Sequence, residues 1–463
     1  MRDAVLMVIV AIISVMALYA PRYGLLGYLW FSLFRPDILA YSAGRPYSMI
    51  LAIVTGVSAL RAVPRVAELM INPIVWVFMG FQVWCGLSVL TALRQDLCFP
   101  SYTWFLTSSV ISLFIPLLVR TKEHLRLLLQ VLGGSIGLLG AKMGLYGILA
   151  GGAMFVQGVG GFLADNNLVA LGLVMGVPLL WYSILLTDML PLKSFFGFLL
   201  VTTLAAIVMC HSRGGILALA LVLMLMAWRA KYRMAAFVFI ALMALPGAWL
   251  VRDSLIARMS TLSSFQEDES AMGRLAFWKA ALKVSKDYPL FGVGFGGTNY
   301  REISGKYVEG DFTHANLFVH NTYLQVLVDS GYPAAIAYCI LLLVCILWMR
   351  RLSKKLKEDD PEMARWSEAI GISLAGYSVG AMFLSRVNYD FPYMLFLAAA
   401  TVYQIHAMQQ PVAGQAPAGE SADAPPPSSP LPAHDDMPAI AGDNQPAWKR
   451  AGAGRRLRLR QKA

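Results

Sequence analysis

The sequence predicts an all-α protein, a polytopic transmembrane helical bundle of about 12 spans with one large extracytoplasmic loop. Three observations predict it. Hydrophobic residues make up 58% of the 463 residues and charged ones 14%, against roughly 45–50% and about 25% in soluble domains, which excludes a soluble cytosolic enzyme. The apolar residues fall in continuous runs of helical length, unlike the alternating pieces of an outer-membrane barrel. The 38 Lys and Arg against 27 Asp and Glu, a net charge of +11, collect in short loops as positive charge does at cytoplasmic faces. The bilayer explains that charge, so membrane lipids are expected partners and nucleic acid is not.

Taken in order, the apolar runs fall at 4–20, 24–34, 46–60, 73–93, 101–119, 125–150, 162–187, 194–210, 214–228, 234–251, 317–349, 367–385 and 391–408. Residues 1–125 form the N-terminal transmembrane helices. The first run reads as a retained helix and not a signal peptide, because its basic region is only Arg2 beside Asp3 and Pro21 follows the small residue where cleavage would fall. The second run is short for a span. Residues 126–251 form a transmembrane core. Basic loops at 120–126 (RTKEHLR), 228–233 (WRAKYR) and 350–357 (RRLSKKLK) share one side under consistent alternation, the cytoplasmic side. The polar stretch 252–316 then emerges on the other face, as do His211, Ser212 and Arg213. A loop of about 65 residues between spans is exceptional and marks function. Within it, 272–286 predicts a helix on the membrane surface, with Leu275, Trp278, Ala281 and Leu282 at helical spacing. Residues 317–408 form the C-terminal transmembrane helices. The tail, 409–463, is rich in Pro, Ala, Ser and Gly and closes with Arg455, Arg456, Arg458, Arg460 and Lys462. That composition predicts a disordered cytoplasmic tail with a basic end suited to anionic lipid. Five cysteines without a CxxC pair suggest neither a disulfide framework nor a zinc site.

The densest cluster of reactive side chains is 311–332, DFTHANLFVHNTYLQVLVDSGY. His320 and Asn321 sit near the extracytoplasmic end of the run that follows, where an imidazole serves as a general base at neutral pH or only hydrogen-bonds to water and backbone. His314 lies six residues before His320, which on one helix turns the side chains about 240° apart. That differs from the i, i+4 pair of helical zinc motifs, so no metal is expected. Arginines form the second feature: Arg213 in HSRGG, Arg274 in MGRLAFWKA, and Arg252, Arg258 and Arg301 in or beside the loop. A guanidinium matches phosphate oxygens bidentately and stays charged, and Gly214 and Gly215 permit close approach. Arg213 therefore suits a lipid-linked pyrophosphate, although each arginine alone is also explained by snorkelling. The segment 292–297, GVGFGG, satisfies GxGxxG but lacks the strand and helix of a dinucleotide site. A flexible turn that folds the loop helix back onto the membrane site is expected there. Asp165, Asn166 and Asn167, and Ser385, Arg386, Asn388 and Asp390, either line a polar sugar site or cap helices.

These residues resemble the O-antigen ligase family, multispanning transferases that share a core with O-antigen polymerases and some protein O-glycosylation ligases. The family hallmark is His followed by Asn, Ser or Gln, nine residues, then Gly, two residues and Gly after the large periplasmic loop. His320 and Asn321 are followed by nine residues to Gly331, the second glycine position is Ala334, and Asp329 stands where the family has an acidic residue. Ser212 to Gly215 at the start of a span, Gly273 and Arg274, Trp278, Pro289 and Gly292 to Gly294 also match. The segment from Trp30 to Pro36 resembles O-glycosylation ligases associated with exosortase systems.

The resemblance implies inverting, metal-independent and cofactor-free glycosyl transfer at the periplasmic face of a bacterial inner membrane. The donor would be a glycan on undecaprenyl pyrophosphate and the acceptor a lipid A core, a glycan or a protein. His320 would act as base and Arg274 as the catalytic arginine, with Arg213, Asn321, Arg301 and His314 binding substrate. The alternative is a polytopic transporter or flippase for a polar or lipid-linked substrate, which would show charged or broken helices near the midplane and a repeat between halves. Lys142 is a candidate intramembrane charge of that kind. A non-catalytic assembly subunit is a third reading.

Overall fold

The computed structural model describes residues 2–42, 44–150, 165–250, 269–308 and 318–409. Among these the fold is all-helical. The main helices are α1 (Arg2–Tyr19), α2 (Pro21–Phe34), α3 (Tyr47–Ala59), α4 (Pro73–Leu90), α5 (Gln95–Ser112), α6 (Lys122–Leu149), α7 (Asn166–Leu186) and α8 (Leu190–Met209). They continue with α9 (Arg213–Arg229), α10 (Arg233–Leu250), α11 (Glu269–Asp287), α12 (Thr298–Ile303), α13 (Thr322–Lys355), α14 (Pro361–Gly380) and α15 (Asp390–Gln409). The tail beyond 409, and most of the first part of the large loop, lie outside the described residues.

Each predicted apolar run is a helix, but among the described residues eight helices are long and apolar enough to cross a membrane. The expected count of about 12 set only the second run apart as short. The shortfall has physical reasons. Helix α2 has 14 residues and α9 has 17, short of the roughly 20 that a bilayer needs. Helices α14 and α15 are diluted by polar side chains such as Ser367, Ser373, Thr401 and Gln404, all of them buried. A helix enclosed by other helices meets protein, not lipid, and tolerates such groups when they are hydrogen-bonded. Ser373 Oγ donates to the Met175 carbonyl at 2.7 Å, and Thr401 Oγ1 to that of Leu397 at 2.8 Å.

Helix α6 packs closely on α7 and α8 through Gly133, Gly137, Gly140 and Gly144. A Cβ at Gly144 would stand 2.1 Å from the Thr202 carbonyl oxygen, so the absent side chain sets the helix separation, as small-residue faces do in membranes. The basic loops gather at one end of the bundle. Arg126 makes a two-pronged pair with Glu362 at 2.6 and 2.5 Å, Lys122 pairs with Asp360, and Arg229 meets Glu368 at 3.2 Å. Asp360 and Glu362 sit at the start of α14, shortly after the basic end of α13 at Arg350 to Lys355. Helix α13 therefore runs from the His320 end of the molecule to this basic end.

The loop helix forms over Glu269–Asp287, enclosing the predicted 272–286, but with a different inner face. Phe277, Ala280, Ala281 and Val284 are buried against Val293, Tyr300, Val308, Val319 and Val328, whereas Leu275 and Leu282 are exposed. The helix thus docks on a small core of its own, and the two leucines face outward.

Candidate functional site

The site is built around the turn into α13. Asn321 caps that helix, its Oδ1 accepting from the backbone N–H of Tyr323 at 3.0 Å and of Leu324 at 3.1 Å. A cap residue is extended, so the chain must turn sharply just before it. His320 makes that turn in the left-handed region, with φ 51°, a conformation that costs a non-glycine residue energy and concentrates at functional sites. The preceding residue is held from above, where the Trp278 indole Nε1 donates to the Val319 carbonyl at 2.8 Å. Arg274 lies four residues before Trp278 on α11, on the same helix face. The helix that fixes the histidine turn also carries Arg274, whose charge acts on the His320 imidazole.

From below, the first turn of α13 pins the loop between α14 and α15. Thr322 Oγ1 donates to the Leu384 carbonyl at 2.7 Å, and the Val387 N–H donates to Gln325 Oε1 at 3.2 Å. Arg386 lies between those two anchors. Asp165 caps α7 through the N–H groups of Asn167 and Leu168, and Asn166 Nδ2 donates to the Cys210 carbonyl at 2.7 Å, which joins the α7 start to the turn before α9.

The electrostatics at His320 follow. Burial pushes its imidazole below the usual histidine range; the positive charge of Arg274 acts the same way, the carboxylate of Asp165 opposes it, and Arg386 adds to the lowering. A depressed value leaves the ring neutral at physiological pH, the form that accepts a proton. The arrangement is an imidazole favoured in its neutral form, with two positive charges and one carboxylate acting on it.

Eleven residues beyond His320, α13 breaks. Gly331 has φ 78° and ψ −179°, and Pro333 follows. The carbonyls freed by the break are each taken. Val293 N–H donates to Val328 O at 2.8 Å, Gly294 N–H to Asp329 O at 3.0 Å, and Trp84 Nε1 to Ser330 O at 3.1 Å. The Tyr332 N–H in turn donates to Pro289 O at 2.9 Å. The GVGFGG segment is therefore a clasp and not the flexible turn expected of it. Its glycines at 292, 294, 296 and 297 have positive φ, and a Cβ on Gly292 would stand 2.4 Å from Val328 O. Asp329, fully buried, locks the clasp, its Oδ2 accepting from Gly296 N–H at 3.0 Å and Gln325 Nε2 at 3.2 Å.

Residues 198–339 match the family model described as O-antigen ligase, and residues 1–187 match that of a family of unknown function (DUF5935). The ligase match over residues 198–339 supports membership of the O-antigen ligase family. No curated protein matches it. The matched ligase segment contains Arg213, Arg274, Arg301, His320, Asp329 and Gly331, so the histidine, these arginines and the helix break come from one stretch. The ligase match and the apolar helices make it a multi-pass membrane protein with a glycosyltransferase-like activity.

Of the residues singled out in the sequence, His320 and Arg274 share one site. Arg213 opens α9, whose Gly215 approaches Ala170 of α7 so closely that a Cβ would lie 2.8 Å from Ala170 Cβ. Arg301 stacks over the Phe318 ring at 5.3 Å, two residues from His320. Asn321 serves as a cap. His314 and the early loop arginines Arg252 and Arg258 lie outside the described residues. Arg386 sits outside both matched segments and was visible in the sequence only as part of a polar interruption. Gln325 gave no signal at all, since a glutamine inside an apolar run points to nothing until its two partners are known.

Proposed function

We propose that this ligase transfers a glycan from undecaprenyl pyrophosphate to an acceptor hydroxyl at the periplasmic face of a bacterial inner membrane. The observation that carries the reading is a half-buried His320, favoured in its neutral form, with the charges of Arg274 and Arg386 close enough to act on it. His320 takes the proton of the acceptor hydroxyl as its oxygen attacks the anomeric carbon from the side opposite the pyrophosphate. The bond from that carbon to the pyrophosphate oxygen breaks, and its electron pair leaves with the lipid pyrophosphate, so the anomeric configuration inverts.

Charge grows on the leaving oxygens, where arginines supply fixed compensation without reorganising. Arg213 at the mouth of α9 holds the same pyrophosphate. Arg301, Asn321 and His314 are proposed to contact the glycan. Because the arginines supply the positive charge, the reaction is expected to proceed without a divalent cation. The acceptor is a lipid A core, a glycan or a protein hydroxyl. Helices α9, α14 and α15 are proposed to cross the membrane with the eight long helices, for about 12 crossings in all when α10 is included.

The test is reconstitution of the full chain in vesicles with an undecaprenyl-pyrophosphate glycan and each acceptor class. The expected product has an inverted anomeric linkage, forms in the presence of EDTA, and is lost with Arg274→Ala. Retention of configuration, or a requirement for divalent metal, contradicts the mechanism.

A further inference from the structure

At the end of α13 opposite His320, α13 and α15 enclose a cavity of about 270 Å³. Trp348, Arg351 and Lys355 line it from α13, and Tyr403 and His406 from α15. The Trp348 and Tyr403 rings lie 5.3 Å apart, and Lys355 Nζ approaches His406 Nε2 at 3.5 Å. The Trp348 indole nitrogen is buried and takes no hydrogen-bond partner among the described residues.

Several neighbouring cations at this end are neutralised. Arg120 pairs with Glu68 at 2.6 Å, and Arg126, Lys122 and Arg229 pair with acids at the start of α14. Among the described residues Arg351 and Lys355 have no carboxylate within ion-pair distance, although holding two cations together beside an imidazole is unfavourable without an anion. A tetrahedral oxyanion answers all the donors at once, with Arg351 as a two-pronged partner, Lys355 as a point charge and the indole N–H for a remaining oxygen.

The surface of α13 says what carries that anion. Ile336, Ile340, Leu343, Val344 and Leu347 are all exposed and recur at helical spacing as one apolar stripe. The next position on the stripe, four residues after Leu347, is Arg351. An apolar track that ends in a cation beside an aromatic pair is the pattern of a lipid whose tails follow the helix and whose headgroup sits at the interface. The cavity is smaller than the roughly 300–1,000 Å³ of pockets that enclose whole drug-sized ligands, which suits a headgroup alone.

We propose that this cavity binds the phosphate of an anionic phospholipid. The site is separate from the His320 centre, and its test does not depend on glycan transfer. The purified full chain is transferred to micelles containing equal phosphatidylglycerol and phosphatidylcholine, and retained lipid is counted by native mass spectrometry. The unaltered protein should retain phosphatidylglycerol selectively. The double variant Arg351→Ala, Lys355→Ala should lose it on the order of tenfold, while Arg350→Ala, Lys354→Ala, which removes the same charge from the same helix end outside the cavity, should keep it. Equal loss in both double variants, or equal retention of the two lipids by the unaltered protein, overturns the site. Displacement of phosphatidylglycerol by excess inorganic phosphate overturns the lipid as occupant.

Discussion

The Trp278 indole donates to the Val319 carbonyl at 2.8 Å, and this contact joins α11 to the turn that carries His320. It connects α11, which carries Arg274, to the residue before His320. The loop's contribution is therefore positional as well as electrostatic, and removing the hydrogen bond should be felt in catalysis before it is felt in stability.

Trp278→Phe keeps an aromatic body in the same place and loses the donor. A single hydrogen bond contributes about 1 kcal/mol net, and the Val319 carbonyl is left without this partner, so transfer should fall about 5- to 10-fold in kcat/KM. Thermal unfolding should change little. A variant with unaltered kinetics would show that α11 does not hold the histidine turn.

The pH dependence has a sign that charge variants can check. The proposed mechanism requires neutral His320, so the rate should fall as pH drops through its depressed pKa. Asp165→Asn preserves the α7 cap but removes the negative charge that opposes the lowering, so the acid limb should move to lower pH. Arg386→Gln removes a positive charge that favours the neutral ring, so the acid limb should move to higher pH. Rate profiles of the two variants shifting in the same direction would refute the assignment of His320 as the titrating base.

Gly331→Ala should destabilise severely. The backbone there sits at φ 78°, and a Cβ would stand 2.1 Å from the Leu290 carbonyl oxygen, so both strain and a backbone clash oppose it. Gly197→Ala in α8, where a Cβ meets nothing within 4 Å, should be neutral or stabilising by a few tenths to about 1 kcal/mol. Thermal melts in one detergent compare them directly. Equal melting of the two variants would mean that the break in α13 is not a fixed element.

The helical class was legible because lipid allows few backbone solutions, and continuous apolar runs report that constraint directly. The number of spans was less legible, since an apolar run does not reveal whether lipid or protein surrounds it, as buried Ser373 and Gln404 in α14 and α15 show. His320 and Arg274 stood out by residue type and by resemblance. What the sequence hid was contact at a distance. Trp278 read as part of an apolar stripe but binds a carbonyl 41 residues away, and the GVGFGG glycines read as flexibility but fix a break in another helix. A broken helix is also expected of a transporter; here the carbonyls at the break bond to the protein's own 292–294 segment and to Trp84. Arg386 reaches the site through Thr322 and Gln325, partners more than 60 residues away in sequence.

The account rests most directly on His320 as the base, and the rate of glycan transfer from a purified undecaprenyl-pyrophosphate donor by reconstituted His320→Ala measures it. Loss of a positioned general base should lower the turnover rate by about 10²-fold or more, with donor binding largely kept because the arginines remain. A His320→Ala protein that turns over within a few-fold of the unaltered enzyme would contradict the account.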